Sequence, residues 1–324
     1  MKWLTRFGEL LLTLTALTFL FIFGQYLFSR SLYGFLLWVV VILLFGIALF
    51  HLWFRRTDKR QEKLSLMALW EGIALVIASI ATYYLHELSF VSPVLASGII
   101  GLIGGICFKK QAKAIFAGSF VGMASLAVYS LIPLIFASIG AAFLYVLAIH
   151  GMKGVGGKLG TIAFFGSIMV WGLFDISFSP VNLIGFNLFP WFGFVGIIAA
   201  ISVRVLTKIK GIDVVIGSSL VGVVLGIIFG LIPFGISPYL AICGYGASFV
   251  GMSDEKQMPS LLWLGFGGLI FAIIYHSAFP LFNGAGGKLG MMALISTLVT
   301  LGIKLIMIKT INIYRINHKK NPSV

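Results

Sequence analysis

The stretch FAGSFVGM at residues 116–123 returns later in the chain as YGASFVGM at residues 245–252. A second stretch, GVGGKLG at residues 154–160, returns as GAGGKLG at residues 284–290. Because the two stretches return after nearly the same interval, one structural unit is used twice in the chain. In an apolar chain, a repeat of this kind is typical of transporters and channels built from two related halves.

The composition indicates a polytopic membrane protein. The chain has 324 residues, of which 60% are hydrophobic and 10% are charged, and its mean hydropathy is +1.10. A soluble protein could not bury this much apolar surface in its core. Twelve apolar segments follow one another, at about 7–28, 32–54, 65–85, 90–108, 114–131, 132–150, 160–177, 186–203, 213–232, 235–252, 260–281 and 289–308. We therefore predict an all-α fold with about twelve transmembrane segments.

The net charge of +14 is a topology signal. The basic residues lie in short clusters between apolar segments, at 55–63, 109–113 and 204–210, and in the C-terminal tail. Short loops rich in Lys and Arg stay in the cytoplasm. With both termini cytoplasmic and every segment crossing, 20 of the 23 Lys and Arg residues fall on the cytoplasmic side. This distribution predicts a multi-pass protein of the plasma (inner) membrane rather than a partner for nucleic acid.

The same topology predicts an inverted repeat. Five crossings separate equivalent positions of the repeat, and an odd number of crossings reverses the orientation of a unit in the bilayer. The predicted organisation is an N-terminal hairpin with its basic loop, a first repeat of five spans, a second inverted repeat of five spans and a basic cytoplasmic tail. These parts cover residues 1–64, 65–177, 186–308 and 309–324.

Small residues at every fourth position support this pairing of the halves. The pattern Ser97, Gly101 and Gly105 in the fourth segment matches Ser218, Gly222 and Gly226 in the ninth. Such spacing lets helix backbones approach closely in lipid. Gly-rich helices also resemble one another by chance, which leaves this match weaker than that of the two repeated stretches.

The eight-residue repeat is a candidate solute pathway. Each copy places a hydroxyl between two aromatic rings, and irregular backbone at membrane depth is tolerated where it is buried or lines a cavity. Inverted-repeat carriers form their sites where such segments meet near the midplane. The alternative is that both serines are helix contacts that bond to their own backbones. The candidate residues are Phe116, Gly118, Ser119 and Phe120 in the first copy and Tyr245, Ala247, Ser248 and Phe249 in the second.

The Gly-rich stretches predict a pair of lysines at the two mouths of the pathway. A flexible loop, a helix N-terminus and an ammonium together favour an anion. Alternatively, each lysine extends to a lipid headgroup and the glycines are caps. The residues of this predicted vestibule are Gly156, Gly157 and Lys158 on the inside and Gly286, Gly287 and Lys288 on the outside.

Two acidic residues are candidates for binding a coupling ion. Glu71 lies within the third segment and Asp175 near the end of the seventh, and a carboxylate within the membrane is a candidate proton or Na⁺ site. Both can alternatively be placed toward an interface. The sequence contains no cluster with metal-ligand spacing and no Ser or Cys nucleophile near a base, and Cys107 and Cys243 lie apart in apolar stretches. We therefore expect no enzyme activity, no metal and no cofactor.

The order of these elements resembles that of the urea transporter family. The elements are a small-residue span (97–108), an aromatic segment (116–123), a further span (131–150) and a Gly-containing turn that opens another helix (154–171), repeated from 218 to 302. The resemblance is one of layout, because Gly118-Ser119 and Ala247-Ser248 stand where that family has Asn-Gly. It implies a 5+5 inverted fold, a pore within each protomer and a trimer.

Three functions remain open from the sequence. The first is a channel, facilitator or permease for a small polar solute, neutral or weakly acidic. The second is a secondary transporter coupled to H⁺ or Na⁺ through Glu71 or Asp175. The third is a membrane protein that handles lipid or assists assembly without transporting a solute.

Overall fold

The computed structural model describes residues 2–54, 66–88, 90–174, 176, 184–232 and 235–320. Over these residues the chain forms twelve α-helices, a short 3-10 helix at Phe186–Leu188 and no β-strand. The helices are α1 Lys2–Phe28, α2 Leu32–Phe54, α3 Leu66–Glu87, α4 Pro93–Cys107, α5 Ala112–Gly122, α6 Leu131–Ala148, α7 Lys158–Phe174, α8 Phe189–Leu206, α9 Val214–Leu231, α10 Ser237–Gly251, α11 Leu261–Ser277 and α12 Lys288–Lys320. The predicted all-α class is confirmed, and each predicted apolar segment contains one helix.

Seven of the described helices are long and apolar enough to cross a membrane. They are α1, α2, α3, α6, α8 (with the 3-10 turn before it), α9 and α12. A hydrocarbon core of about 30 Å requires about 20 helical residues. The structure therefore supports a multi-pass membrane protein, while the count of twelve crossings and the orientation of the termini stay predictions.

The two helices that carry the eight-residue repeat are short. Helix α5 has 11 residues and α10 has 15. At 1.5 Å per residue, α5 is about 16 Å long, roughly half of the hydrocarbon thickness. The fifth apolar segment was predicted to continue to residue 131, but the helix ends at Gly122 and residues 123–130 form turns instead. The chain thus turns within the apolar segment, which brings loop backbone into the protein interior.

Helices α4 and α9 pack closely through their small residues. A Cβ on Gly98 would lie 2.8 Å from the Val223 nitrogen, and one on Gly226 would lie 2.9 Å from the Leu95 Cβ. The middle glycines have another use, because Gly101 faces the Phe116 ring and Gly222 faces the Tyr245 ring. The small-residue pattern therefore brings two helices together and also makes room for aromatic rings.

The α1–α2 hairpin packs against the rest of the helices. The Gly8 position of α1 lies against the backbone of Leu147 and Ala148 at the end of α6, where a Cβ would be 2.6 Å from the Leu147 carbonyl. The Trp38 indole of α2 donates a hydrogen bond of 2.7 Å to the Leu20 carbonyl of α1. On α12, Gly302 lies against the Leu44 backbone of α2. The hairpin is thus fixed to α6 and α12 by close backbone contacts.

Candidate functional site

Four aromatic rings from α5 and α10 form a buried group, here called the ring cluster, of Phe116, Phe120, Tyr245 and Phe249. The closest pair across the two helices is Phe120 and Phe249, whose centroids are 4.6 Å apart, and Phe116 lies 6.0 Å from Phe249. Each ring is at most 2% exposed. The two repeated stretches, predicted to meet, therefore do meet, and their rings fill the space between them.

The serines of the repeat lie behind the ring cluster and are fully buried. Ser119 Oγ donates to the Phe116 carbonyl at 2.8 Å, and Ser248 Oγ donates to the Tyr245 carbonyl at 2.6 Å. Each also shares a hydrogen bond with a serine of the small-residue pattern, Ser97 at 2.8 Å or Ser218 at 2.7 Å. This geometry is the one expected of helix contacts, and a direct contact between these hydroxyls and a solute stays a prediction.

The small residues beside these serines also pack against neighbours. A Cβ on Gly118 would clash with the Leu75 carbonyl of α3, so this glycine allows α5 to approach α3. Ala247, at the equivalent position of α10, is fully buried. Both positions thus contribute to helix packing.

The two Gly-rich stretches form loops with matching backbones, here called loop A (residues 149–157) and loop B (residues 278–287). Gly154 and Gly157 have φ of +75° and +83°, and Gly284 and Gly287 have φ of +88° and +77°. Only glycine adopts such angles without strain. The repeated glycines are therefore required by the backbone of both loops.

Each loop is held by the end of the helix from the other copy of the repeat. The Gly154 carbonyl of loop A accepts from the Asp254 N–H at 3.0 Å, and the Gly284 carbonyl of loop B accepts from the Ser125 N–H at 2.9 Å. The Gly286 position faces the Val121 carbonyl, where a Cβ would be 2.5 Å from the oxygen. Loop A thus belongs structurally with the end of α10, and loop B with the end of α5.

Helices α7 and α12 cross directly after these loops. Gly160 and Gly290 face each other with no room for a Cβ on either. Gly157 lies against Leu294, and Gly287 lies against Phe164, which is the order of contacts in antiparallel helices. Loops A and B therefore approach the crossing from opposite ends, and both helix N-termini lie inside the protein.

The two lysines of the loops bind carbonyl groups at the end of the preceding helix. Lys158 Nζ donates to the Ile149 and Gly151 carbonyls at 2.6 and 2.9 Å. Lys288 Nζ donates to the Phe279 carbonyl at 2.7 Å and lies 5.8 Å from the centre of the Phe279 ring. Both side chains are partly buried. A cation at a helix C-terminus stabilises the orphan carbonyls and the helix dipole.

Loop A has an acidic neighbour that the sequence did not reveal. Glu9 of α1 is 6% exposed, and its Oε1 accepts from the Met152 N–H at 3.0 Å. The Glu9 carboxylate also interacts electrostatically with the Lys158 ammonium. Glu9 lies in the apolar N-terminal segment, far from the repeat in the sequence. The one sequence signal for it is that acidic residues are rare in such a segment.

A cavity of about 500 Å³ lies on the loop B side of the ring cluster. Its walls include the rings of Phe120, Tyr239, Phe249, Tyr275 and Phe279, the polar side chains of His86, Ser125, Asn283 and Lys288, and residues 287–290 at the start of α12. Phe120 and Phe249 are the two rings of the ring cluster that line it. The other two rings, Phe116 and Tyr245, and both repeat serines are fully buried and do not line it.

Besides Lys288, two other polar side chains along the cavity already have backbone partners. His86 Nε2 donates to the Ala124 carbonyl at 3.2 Å, and the Tyr275 hydroxyl donates to the Tyr239 carbonyl at 3.4 Å. These bonds fix the C-terminal end of α3 to the turns after α5, and α11 to the start of α10. Hydrogen bonds thus connect the structural elements that form the cavity wall.

The structure distributes the predicted site residues among several places. Phe120, Phe249, Gly287 and Lys288 line the cavity. Gly156 and Gly157 belong to loop A, and Lys158 follows it as the first residue of α7. Glu71 is partly buried on α3 beside Gly72, which faces Ala142 and Val146 of α6, and it does not line the cavity. Asp175 lies outside the described residues.

Most residues of the cavity wall could not be chosen from the sequence. Tyr239, Tyr275, Phe279 and Asn283 lie outside the repeated stretches, and aromatic residues are common throughout this chain. They are recognised only because the turns after α5 and loop B come together in the fold. No protein family, no curated protein and no solved structure matches this chain.

Proposed function

We propose that this chain is a channel, facilitator or permease for a small polar solute, neutral or weakly acidic. The solute enters the cavity on the loop B side and passes between α5 and α10 when the ring cluster opens. In this proposal the protein lies in the inner membrane with both termini in the cytoplasm, and the cavity faces outward.

One observation carries the proposal. A cavity of about 500 Å³, within the usual size of a ligand pocket, includes Phe120 and Phe249 of the ring cluster in its wall. These two rings belong to the segments that the chain repeats, and in the proposal they separate the cavity from the buried serines. A cavity lined by both repeated segments fits a carrier with a closed constriction.

Matching contacts in the two copies support an arrangement of inverted halves. The backbone bond from Asp254 to Gly154 is 3.0 Å long, and the one from Ser125 to Gly284 is 2.9 Å long. The Ile149 carbonyl that accepts from Lys158 and the Phe279 carbonyl that accepts from Lys288 occupy equivalent places, because each belongs to the residue nine positions before its lysine. The antiparallel crossing of α7 and α12 is the contact expected if the two copies run in opposite directions. The layout resemblance to urea transporters suggests the same 5+5 arrangement and a trimer.

The function is tested by solute flux in proteoliposomes with a widened constriction. Stopped-flow light scattering would follow the entry of urea, acetamide, glycerol, acetate and benzoate. We expect at least one of them to enter faster than in protein-free vesicles. Phe120→Ala combined with Phe249→Ala should raise the rate several-fold, because the change removes the rings of the ring cluster that line the cavity. Phe136→Ala combined with Phe143→Ala is the matched control, since both rings are exposed on α6 and should leave the rate unchanged.

Two outcomes would argue against a facilitator. Flux that equals that of protein-free vesicles for every solute, with and without the ring substitutions, would favour a protein without transport function. Flux that requires a gradient of H⁺ or Na⁺ and is lost in Glu71→Gln would favour the coupled transporter. Glu71 is the acid to test first, because it is partly buried within a helix long enough to cross the membrane.

A further inference from the structure

We propose that the cavity on the loop B side binds a small organic monocarboxylate with a ring-sized apolar body. The carboxylate would lie on the Lys288 ammonium and the first turn of α12, and the apolar body would pack against the aromatic wall. The inference names the substrate class for the proposed transport function, on which it rests, but it is tested by binding alone.

The charge of Lys288 points to an anion. Its ammonium has three donors, and one of them bonds the Phe279 carbonyl. Lys288 forms no ion pair with any residue that the structure describes. A partly buried charge without a counter-charge is unfavourable, and an anion in the adjoining cavity would offset that cost.

The equivalent lysine after loop A, Lys158, has more partners within the protein. It bonds two carbonyls instead of one, and it has the Glu9 carboxylate as an electrostatic neighbour. At Lys288 the corresponding protein groups are fewer and a cavity adjoins the lysine. Because Lys288 has fewer protein partners than Lys158 and adjoins a cavity, Lys288 is the lysine that is available to a ligand.

The backbone around Lys288 favours the same chemistry. Gly287, the last residue of loop B, and residues 288–290, the first of α12, line the cavity. The first N–H groups of a helix have no partner within that helix, and they carry the positive end of the helix dipole. Together with the ammonium, they form a compact site for a single carboxylate.

The rest of the cavity favours an apolar body. Phe120, Tyr239, Phe249 and Phe279 contribute aromatic walls, and Ile242 adds an aliphatic side chain. The His86 Nε2 and the Tyr275 hydroxyl already bond backbone carbonyls. A sugar or another solute with many hydroxyls would therefore find few partners, and a dianion would find only one lysine side chain.

The test is equilibrium binding of benzoate to the purified full-length protein in detergent, with benzamide as a neutral ligand of the same shape. We expect saturable benzoate binding and at least tenfold weaker binding of benzamide. Lys288→Gln should weaken benzoate binding at least tenfold and leave benzamide unchanged, whereas Lys288→Arg should retain most of the affinity. Lys158→Gln is the matched control and should change benzoate affinity less than threefold.

A second variant keeps the test decisive if Lys288→Gln does not fold. Ile242→Trp fills the cavity while leaving Lys288 in place, and it should abolish benzoate binding. Equal binding of benzoate and benzamide, no benzoate binding, or normal affinity in Lys288→Gln would overturn the proposal. Binding of palmitate without binding of benzoate would also overturn it, in favour of a lipid acyl chain.

The outcomes separate this inference from the proposed transport. Saturable benzoate binding without flux of any solute would keep the carboxylate site and refute the transporter. Flux of urea or glycerol without benzoate binding would keep the transporter and refute the carboxylate site.

Discussion

At the scale of single residues, one difference between the two copies of the repeat is a hydroxyl group, on Tyr245 and not on Phe116. Tyr245 Oη shares a hydrogen bond of 2.9 Å with Ser97, and the equivalent Phe116 has no such group. The Ser219 hydroxyl, which lies beside Gly101 and the Phe116 ring, has no hydrogen-bond partner among the residues that the structure describes. The hydroxyl network behind the ring cluster is therefore more complete on one side than on the other.

We expect Tyr245→Phe to lower the free energy of unfolding by about 1 kcal/mol, the usual contribution of one buried hydrogen bond. The loss should stay small because Ser97 retains its bond to Ser119. Thermal unfolding in detergent would measure it as a lower Tm. Tyr33→Phe is the control, since Tyr33 is 84% exposed and should leave Tm unchanged. An unchanged or raised Tm in Tyr245→Phe would mean that the Ser97 bond adds nothing.

At the scale of elements, the crossing of α7 and α12 depends on the absence of side chains. Gly160 and Gly290 lie face to face, so a Cβ on one has no flexible neighbour to displace. The nearest atoms in the way belong to the backbone of the other helix. The crossing distance is thus fixed by two glycines rather than by a packed core.

Gly160→Ala and Gly290→Ala should each destabilise the fold by about 1–3 kcal/mol or more, as overpacking does in other cores. The expected readout is a lower Tm and less folded protein after purification. Gly172→Ala is the control in the same helix, because a Cβ there would meet no atom within 4 Å. This control should be neutral or slightly stabilising, since alanine favours a helix more than glycine does. If Gly160→Ala behaves like Gly172→Ala, the helices can separate at no cost and the crossing is loose.

The elements of this fold were predictable from the sequence to different degrees. The positions of the helices follow from apolar runs, and the meeting of α5 with α10 follows from the repeated stretch. The early end of α5 at Gly122 was not predictable, because the residues that follow, Met123 to Tyr129, are themselves largely apolar. Their turns are stabilised by a tertiary bond from Ser125 to Gly284 that no local pattern encodes.

The candidate site was less predictable than the fold. The lysines of the loops were found from the repeat, but their carbonyl partners depend on how each loop folds back on the preceding helix. Glu9 bonds Met152, which lies far from it in the sequence, so its role depends on tertiary structure alone. The cavity likewise exists only because the turns after α5, the start of α10 and loop B come together.

At the scale of the whole molecule, the inverted arrangement predicts opposite exposure of two equivalent turns. Ala127 and Lys256 are both exposed and occupy equivalent places in the repeat, after α5 and α10 respectively. We expect Ala127→Cys to react with a membrane-impermeant maleimide on intact cells, and Lys256→Cys to react only in inverted vesicles. The background would carry Cys107→Ser and Cys243→Ala, because Cys107 is exposed.

Labelling of both cysteines from the same side would contradict the inverted arrangement. Leu262→Cys and Phe90→Cys serve as positive controls for reagent access, since both side chains are at least 80% exposed. The positions Gly154 and Gly284 are unsuitable for this purpose, because both have positive φ and no room for a side chain.

The contacts of loops A and B with the ends of α10 and α5 also determine when the fold can form during synthesis. Gly160 leaves the ribosome well before Gly290, by an interval on the order of ten seconds at about 5–20 residues per second. Until the second copy of the repeat follows, the Gly156 N–H lacks Ser253, its eventual partner. Neither this bond nor the crossing of α7 and α12 can form before the second copy of the repeat has been synthesised. The contacts at the centre of the molecule therefore form late, after both copies are present.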